Sequence, residues 1–580
     1  MKKISLALFA ALPAAFASGF NAHAATAPIL LAEASRVAGT APTPIPTAGV
    51  APSHAFLPAA PPEILPALAA APPFAASVQA ADLPQDVPQT SLLTQAHDEI
   101  ASAAQAAAEQ DQQARSAQAF DGSAAGKTLL LVGTSRSRPF IIEEAARTAR
   151  QLGLRLLVLD KPEERGNSQA LVPDAHFIPA PIDRHDETAV AETIAKVSEL
   201  HKTVKIDAVV SMLNAYAELA GKIVDATGAA GNPGAAVTAA HTKSLARERL
   251  ASVPEISAPY RVVKSADEAR RAYRELGGGK FVMKPIQGGG SMFVVLDVDS
   301  EEKAAKTYRE IQGGIESFKN RKDAGLFNLD LNPGILLERQ FREGPEVDVE
   351  LILQRGRVQF WHVSDNAPMD KPYAIEKNST YPSQLHESTQ LRLVQAAAKA
   401  LDALDLKVGN MHVELMMTPD GPRILEVNAR MGGAFVWPYI KAVTGISLVE
   451  QGIRAVLGLK VDPGHKPTFT LEGRFFIPKV TGRLEAVEGL EEAAGLPGVG
   501  EITMLKQPGD EVQAAPDHMF DYIGYLSATG KDYQEAMTRT MAALKAIKFR
   551  VRTTEGPVVV HSADYTHAPV DVNGMLEAGS

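Results

Sequence analysis

From Lys127 onward, apolar residues gather into short runs divided by polar, glycine-marked stretches, and the spacing within each run predicts its element. TLLLVG (128–133) is apolar almost throughout, the pattern of a strand buried on both faces. After TSRSRPF comes IIEEAARTARQLG, with apolar residues at helical spacing, and then a second apolar strand, RLLVLD. Strand, helix and strand in that order predict a βαβ unit of a parallel sheet. The strand IDAVVSML and the helix AYAELAGKIVDATG extend it to about Pro233.

The pattern changes after Thr242. TKSLARERLA and SADEARRAYRELG predict helices flanking a proline-marked loop. GKFVMKPIQGGGSMFVVLDV reads as strand, glycine-rich turn and strand, and GILLERQF and PEVDVELILQRGRVQFWHV add further strands. Residues 411–433, MHVELMMTPDGPRILEVNARMGG, spell a hairpin, and SLVEQGIRAVLG a helix. From about Pro467 to Val560, the strands TLEGRFFIP and PVVVH and the helix YQEAMTRTMAALKAI form a separate α+β piece.

The first 125 residues differ in kind. A Lys2-Lys3 head, an apolar run and the small-residue AHA ending at Ala24 form a secretory signal pattern, so export to the periplasm is expected. Residues 25–125 are rich in Ala and Pro and read as a linker, helical over 91–119. The expected layout is therefore a signal peptide (1–24), a linker (25–125), an N-terminal α/β domain (126–235), a central domain (236–465), a C-terminal α+β domain (466–565) and a tail (566–580). The class is multidomain α/β and α+β.

Composition narrows the chemistry. The 580 residues include no cysteine, which excludes disulfides, thiolate metal sites and a cysteine nucleophile. A net charge of −10 gives no support for a nucleic-acid surface. No GxGxxG follows the first strand, so a dinucleotide site is not supported. DGSAAGKT nearly spells a phosphate loop, but Asp121 replaces its first Gly and the stretch precedes a strand.

The hairpin poses the sharpest question. Alternation puts His412, Glu414 and Met416 on one face, with Ile424, Glu426 and Asn428 sharing a face of the second strand. If Thr418 to Pro422 is the loop, Met417 pairs with Arg423, Glu414 opposes Glu426 and His412 opposes Asn428. Like charges across a ladder destabilise it, and a divalent cation between them would remove the conflict. A solvent-facing hairpin is the plain alternative. A two-residue turn would shift the register by one and separate the acids.

Elsewhere, Lys284 ends an apolar strand before Pro285 and a Gly-Gly-Gly-Ser turn. Glycines let backbone N–H groups cradle phosphate oxygens while a lysine supplies charge. Lys243 on its helix, and Glu338 and Glu346 on their strands, are ordinary surface and strand residues when read alone.

Taken in order, these motifs resemble the ATP-grasp superfamily from about Lys127 to Gly458, with a Rossmann-like α/β domain preceding the ATP-grasp fold. HVELMMTPDGPRILEVNARMGG looks like the carboxylate–amine ligases that join amino acids, the carnosine synthase and bacterial dipeptide ligase group. The resemblance implies an ADP-forming ligase that uses ATP and Mg2+ or Mn2+ and works through an acyl-phosphate. Lys243 and Lys284 would contact ATP phosphates, with Gly288, Gly289, Gly290 and Ser291 as the covering loop. Glu338 would sit by the adenine amino group near the Arg339 and Phe341 backbone, and Glu346 would hold the ribose. Glu414, Glu426 and Asn428 would bind the metal, and Arg430 would stabilise the acyl-phosphate and tetrahedral intermediate.

On the substrate side, Glu376 could receive an amino group. His412 could contact substrate, orient Glu414 or bond across to Asn428, and Gly433 implies close backbone approach. Trp437 and Tyr439 read as core, and no catalytic residue is assigned to the last domain. The partners implied by that likeness are small carboxylates and amines, amino acids among them; a homodimer is compatible with it. Two rivals remain at this stage: a biotin-dependent-carboxylase-like enzyme, and an exported non-catalytic nucleotide- or peptide-binding protein. ATP dependence makes the cytoplasm the alternative to export.

Overall fold

The computed structural model describes residues 124–563, except 137, 184–185, 290, 320–329, 342–343, 368–373, 434–435 and 515–520. The leader, nearly all the linker with its helix at 91–119, Gly290 and the tail lie outside the described residues.

The expected βαβ unit opens the fold. Its parallel sheet runs Phe177–Pro179, Arg155–Asp160, Thr128–Val132, Ala208–Val210 in spatial order. Leu129, Leu130, Leu131 and Val132 are wholly buried, as a strand covered on both faces requires. The helix Phe140–Leu152 ends at Gly153, whose left-handed φ of 67° suits a residue without Cβ. The helices Glu187–Thr203 and Asn214–Thr227 complete this part.

The chain then builds a clasp of two antiparallel sheets. The smaller runs Tyr260–Val263, Asp330–Arg339, Phe281–Gln287, Val295–Val298. The helix Glu301–Lys319, which the pattern did not predict, packs Ala304, Ile311 and Ile315 into the core of this sheet. The larger sheet has eight strands, starting Gly421–Asn428, Gly409–Thr418, Glu346–Gln354, Arg357–Asn366, Asn378–Tyr381. It continues into Thr470–Phe476, Gly524–Gly530 and Val499–Met504, so its ladder crosses residue 465 without a break. A further sheet contains Gly482–Glu488 and Lys548–Thr553.

The large sheet has one apolar and one polar face. Val347, Val349, Leu351, Val413, Leu415 and Met417 are buried beneath the helix Glu387–Ala403, with Leu393, Ala397 and Leu401. Period-two alternation therefore turns Glu346, Asp348, Glu350, His412 and Glu414 to the opposite face. Among the described residues, no helix is long and apolar enough to cross a membrane.

The hairpin register corrects the expectation in one respect. Thr418 pairs with Gly421, so the loop is only Pro419 and Asp420, and Met417 opposes Pro422 rather than Arg423. That tight turn alone would put Leu425 opposite Glu414. Instead the register shifts by one between Glu414 and Leu415, and Leu425 bulges out of the ladder. Glu414 thereby opposes Glu426, and His412 opposes Asn428.

Candidate active site

Four adjacent strands place polar residues in rows across the sheet. One row reads Asn428, His412, Glu350, His362; the next reads Glu426, Glu414, Asp348, Ser364. Within the first, His412 Nδ1 makes a short hydrogen bond to Glu350, whose two carboxylate oxygens each accept from the Gly432 N–H at 3.1 Å. His412 Nε2 lies 3.4 Å from Glu414 Oε1. Burial opposes the imidazolium, but Glu350, Glu414 and Asp348 hold His412 well above the usual histidine pKa. His412 Nε2 therefore faces Glu414, and it is Glu426 at 3.2 Å, not His412, that accepts from Asn428 Nδ2.

The floor beside this row is crowded with acids. Desolvation and then Glu414, Asp348 and Glu376 raise Glu346 well above the carboxylate range. Asp348, which accepts from Asn366 Nδ2 at 2.8 Å, is lifted to about 6 by burial and by Glu414 against the pull of His412. Glu376 is exposed as a residue, while neighbouring protein crowds its carboxyl. Desolvation there, with the like charges of Glu414 and Asp348, pushes it up to about 7.

The opposite wall is cationic. Lys243 Nζ is 3.1 Å from Glu426 Oε2 and donates to the Gly288 carbonyl at 3.1 Å, tying the glycine loop to that acid. Lys284 Nζ pairs with Glu338 Oε1 at 2.5 Å, and Arg247 Nε reaches Glu338 Oε2 at 2.8 Å. Both cations also reach the bulged Leu425 carbonyl, Arg247 at 2.8 Å and Lys284 at 3.4 Å. Glu338 is thus the shared counter-ion of Arg247 and Lys284.

Desolvation would raise Glu338, yet Arg247 and Lys284 hold it below its usual value. Lys284 is lowered by burial and by Arg247 and Lys243 despite Glu338. Lys243 and Lys284 likewise overcome the desolvation of Glu426 and hold it down to about 2. Three cations against Glu338 and Glu426 leave positive charge facing the cleft, whereas the floor is left negative. A nucleotide phosphate chain carrying a divalent cation matches both.

At the far end, Arg430 Nε donates to Asn214 Oδ1 at 2.7 Å and Nη1 to its neighbour's Met431 carbonyl at 2.8 Å. Gly289 lies against Asn214, where an added Cβ would be 3.9 Å from Nδ2, so the glycine loop reaches Arg430 through this residue. Ser291 takes a left-handed φ of 52° within the loop. The Arg339 side chain is used elsewhere, donating to Gly278 and Leu276 carbonyls over the Phe281 ring. Phe341 lies under Arg423. Trp437 stacks on Phe140 with centroids 4.2 Å apart.

Asp348 and Glu350 carry a signal in the sequence, because PEVDVELIL alternates acid with aliphatic. Arg247 stands four residues after Lys243 and so shares its helix face. Asn214 and Arg138, which lies beside Gly433, carry no such signal: they come from loops and helix starts of another part of the chain.

Glu414, Glu426 and Asn428 fit a hard cation. Their donors are oxygens, and the facing carboxylates otherwise repel. Among the described residues no three His, Asp, Glu or Cys side chains converge tightly enough to hold an ion unaided. Magnesium commonly takes one or two carboxylates and completes its shell with phosphate and water.

Comparison with known proteins agrees with this geometry. Residues 278–437 match the profile described as the ATP-grasp domain, and 474–552 that of L-amino acid ligase C-terminal domain 2. Carnosine synthase 1 of Gallus gallus is 31% identical over 346 residues, 58% of this chain and 35% of that protein. The L-arginine-specific L-amino acid ligase of Bacillus subtilis is 23% identical over 248 residues, 42% of this chain and 56% of that one. The chain thus spans only part of each relative. The crystal structure of L-amino acid ligase from Bacillus licheniformis superposes with a TM-score of 0.56 at 22% identity, over 73% of this chain and 98% of that one, a likeness of fold. Residues 278–437 thus carry an ATP-grasp domain and residues 474–552 an L-amino acid ligase C-terminal domain, in a chain whose relatives include carnosine synthase and L-amino acid ligase.

Proposed function

We propose that the chain joins the carboxylate of one amino acid to the amine of another, consuming ATP and releasing ADP and phosphate. The observation that carries this reading is the opposition of a cationic wall, Lys243, Lys284 and Arg247, to the Glu414–Glu426 pair, with Arg430 at the end of the same cleft. The match of residues 474–552 to an L-amino acid ligase domain favours amine over bicarbonate chemistry.

A carboxylate is a poor acyl donor and must first be activated. Its oxygen attacks the γ-phosphorus of ATP; the new O–P bond forms as the bond to ADP breaks, giving an acyl-phosphate. The amine nitrogen then attacks the acyl carbon, the C–O bond to phosphate breaks, and the amine proton passes to solvent. Lys243 and Lys284 neutralise the phosphates, and Gly288, Gly289 and Ser291 shield them from water. Arg430, fixed by Asn214, steadies the oxyanion of the tetrahedral intermediate. Glu414, Glu426 and Asn428 would hold magnesium, which supplies further charge neutralisation at the phosphates. Glu376 receives the ammonium group of a substrate. No side chain needs to become a covalent nucleophile, consistent with a chain that has no cysteine.

The test incubates the full chain with magnesium, ATP and pooled amino acids, following ADP and new masses. ADP that appears only with a particular amino-acid pair supports the reading. ADP that requires bicarbonate instead, or ATP binding without turnover in any pool, rejects it.

A further inference from the structure

Among the described residues, Arg138 has no hydrogen-bonding or ion-pairing side-chain partner. It lies in the loop after the strand Thr128–Val132 and immediately before the helix Phe140–Leu152, at the carboxyl edge of the parallel sheet, where ligands of open α/β sheets bind. A Cβ at Gly433 would stand 3.1 Å from an Arg138 Nη atom, so the guanidinium runs along the Gly433 backbone, three residues beyond Arg430. Its side chain is half-buried and makes no hydrogen bond or ion pair with any described residue.

The electrostatics sharpen the contrast with Arg430. Burial lowers Arg430 as well, but four acids, Glu350, Glu426, Glu414 and Asp348, oppose that loss. Arg138 is instead pushed down to about 10, first by burial and then by the like charge of Arg430, and at neutral pH it remains a guanidinium. A desolvated cation beside another cation is costly unless an anion joins them. The helices starting at Phe140 and Asn214 have no side-chain cap at their N-termini, which adds positive potential at the same end of the cleft. The Phe140–Trp437 stack, with planes 8° apart, fixes the Arg138 loop against the segment carrying Gly433.

Building on the ligase reading, we infer that Arg138 binds the free α-carboxylate of the amine-bearing substrate, making this residue the selector of an amino acid or peptide over a simple amine. The donor carboxylate is accounted for otherwise: it is turned into the acyl-phosphate beside Arg430 and the glycine loop. The acceptor keeps its carboxylate throughout the reaction, and a planar guanidinium with forked donors holds such a group in two parallel bonds. Its amine, one carbon away, is then delivered next to Arg430.

The test measures binding separately from turnover. Each of the twenty L-amino acids and its C-terminal amide is titrated against the full chain with magnesium and a non-hydrolysable ATP analogue, in wild type, Arg138→Gln and Arg138→Lys. At least one amino acid binds wild type about 10- to 100-fold more tightly than its amide, Arg138→Gln erases that preference, and Arg138→Lys restores part of it. An unchanged preference in Arg138→Gln overturns the inference, as does equal loss of acid and amide, loss of the nucleotide analogue, or absence of any acid preference in wild type. Turnover by wild type is read independently as ADP release, so a silent ligase assay and a wrong role for Arg138 give different results.

Discussion

Glu414 stands directly across the ladder from Glu426, and the pairing exists because Leu425 bulges out between them and the tight turn at Pro419 and Asp420. The bulge does two things at once. It returns Glu426 to the polar face, and it aims the Leu425 carbonyl at Arg247 and Lys284. A cross-strand pair of carboxylates is unfavourable without a cation, so removing one charge should separate stability from activity. Glu414→Gln is expected to leave the urea midpoint unchanged or raised while ADP formation falls about 100-fold. A parallel loss of stability and activity would show that the pair is structural.

Glu350 acts on the same pair through His412. Glu350→Gln weakens the clamp that turns His412 toward Glu414, and the apparent magnesium affinity should drop about 10- to 100-fold, as for other partners of metal-binding residues. Titrating magnesium into the ADP-release assay measures it; an unchanged half-saturation point contradicts the role.

Arg247 and Glu338 are both almost wholly buried. Arg247→Ala leaves Glu338 with Lys284 alone and strips a donor from the Leu425 carbonyl. A loss of about 3 kcal/mol is expected, at the lower end for breaking a buried pair. Equilibrium unfolding in urea checks the figure, and a cost below about 1 kcal/mol would show that water replaces the guanidinium.

How much of this was legible beforehand follows from which interactions are local. Strand and helix periods gave the parallel unit around Leu130 and the acids facing Glu414, because alternation depends on neighbours two residues apart. A five-residue loop predicts the acid opposition, whereas the chain reaches it with a two-residue turn and a bulge at Leu425. Nothing in PRILEVN marks a bulge. The ion pair of Glu338 is not legible either, because its partner Arg247, 91 residues away, leaves no mark on the strand pattern. Asn214 and Arg138 escaped for the same reason.

Asp365 predicts a pH dependence away from the cleft. Burial is the main force pushing its carboxyl up to about 7, against hydrogen bonds from Ser383 and the Gln384 N–H. An unfolded aspartate titrates near pH ~4. Between about pH 4 and 7 the folded state therefore holds more protons, so this group's contribution to stability is present at low pH and is lost as pH rises through 7. Asp365→Asn should remove that slope, seen as a difference between variant and wild-type unfolding curves that widens from pH 4 to 7. A constant difference would place the ordinary carboxylate pKa at Asp365.

The leader pattern predicts a mature chain that begins at Ala25 and fractionates with the periplasm. N-terminal sequencing of the protein from its native cell checks this. An intact Met1 chain in the cytosol would instead put the protein where ATP is plentiful.

Transfer of oxygen reveals whether an acyl-phosphate forms. The full chain is given ATP, magnesium, the amine substrate found in the pooled assay and its partner acid labelled with 18O in the carboxylate. One labelled oxygen should leave with each inorganic phosphate, because the carboxylate oxygen that attacks the γ-phosphorus departs on phosphate when the amide bond forms. Unlabelled phosphate alongside amide product would rule out the acyl-phosphate.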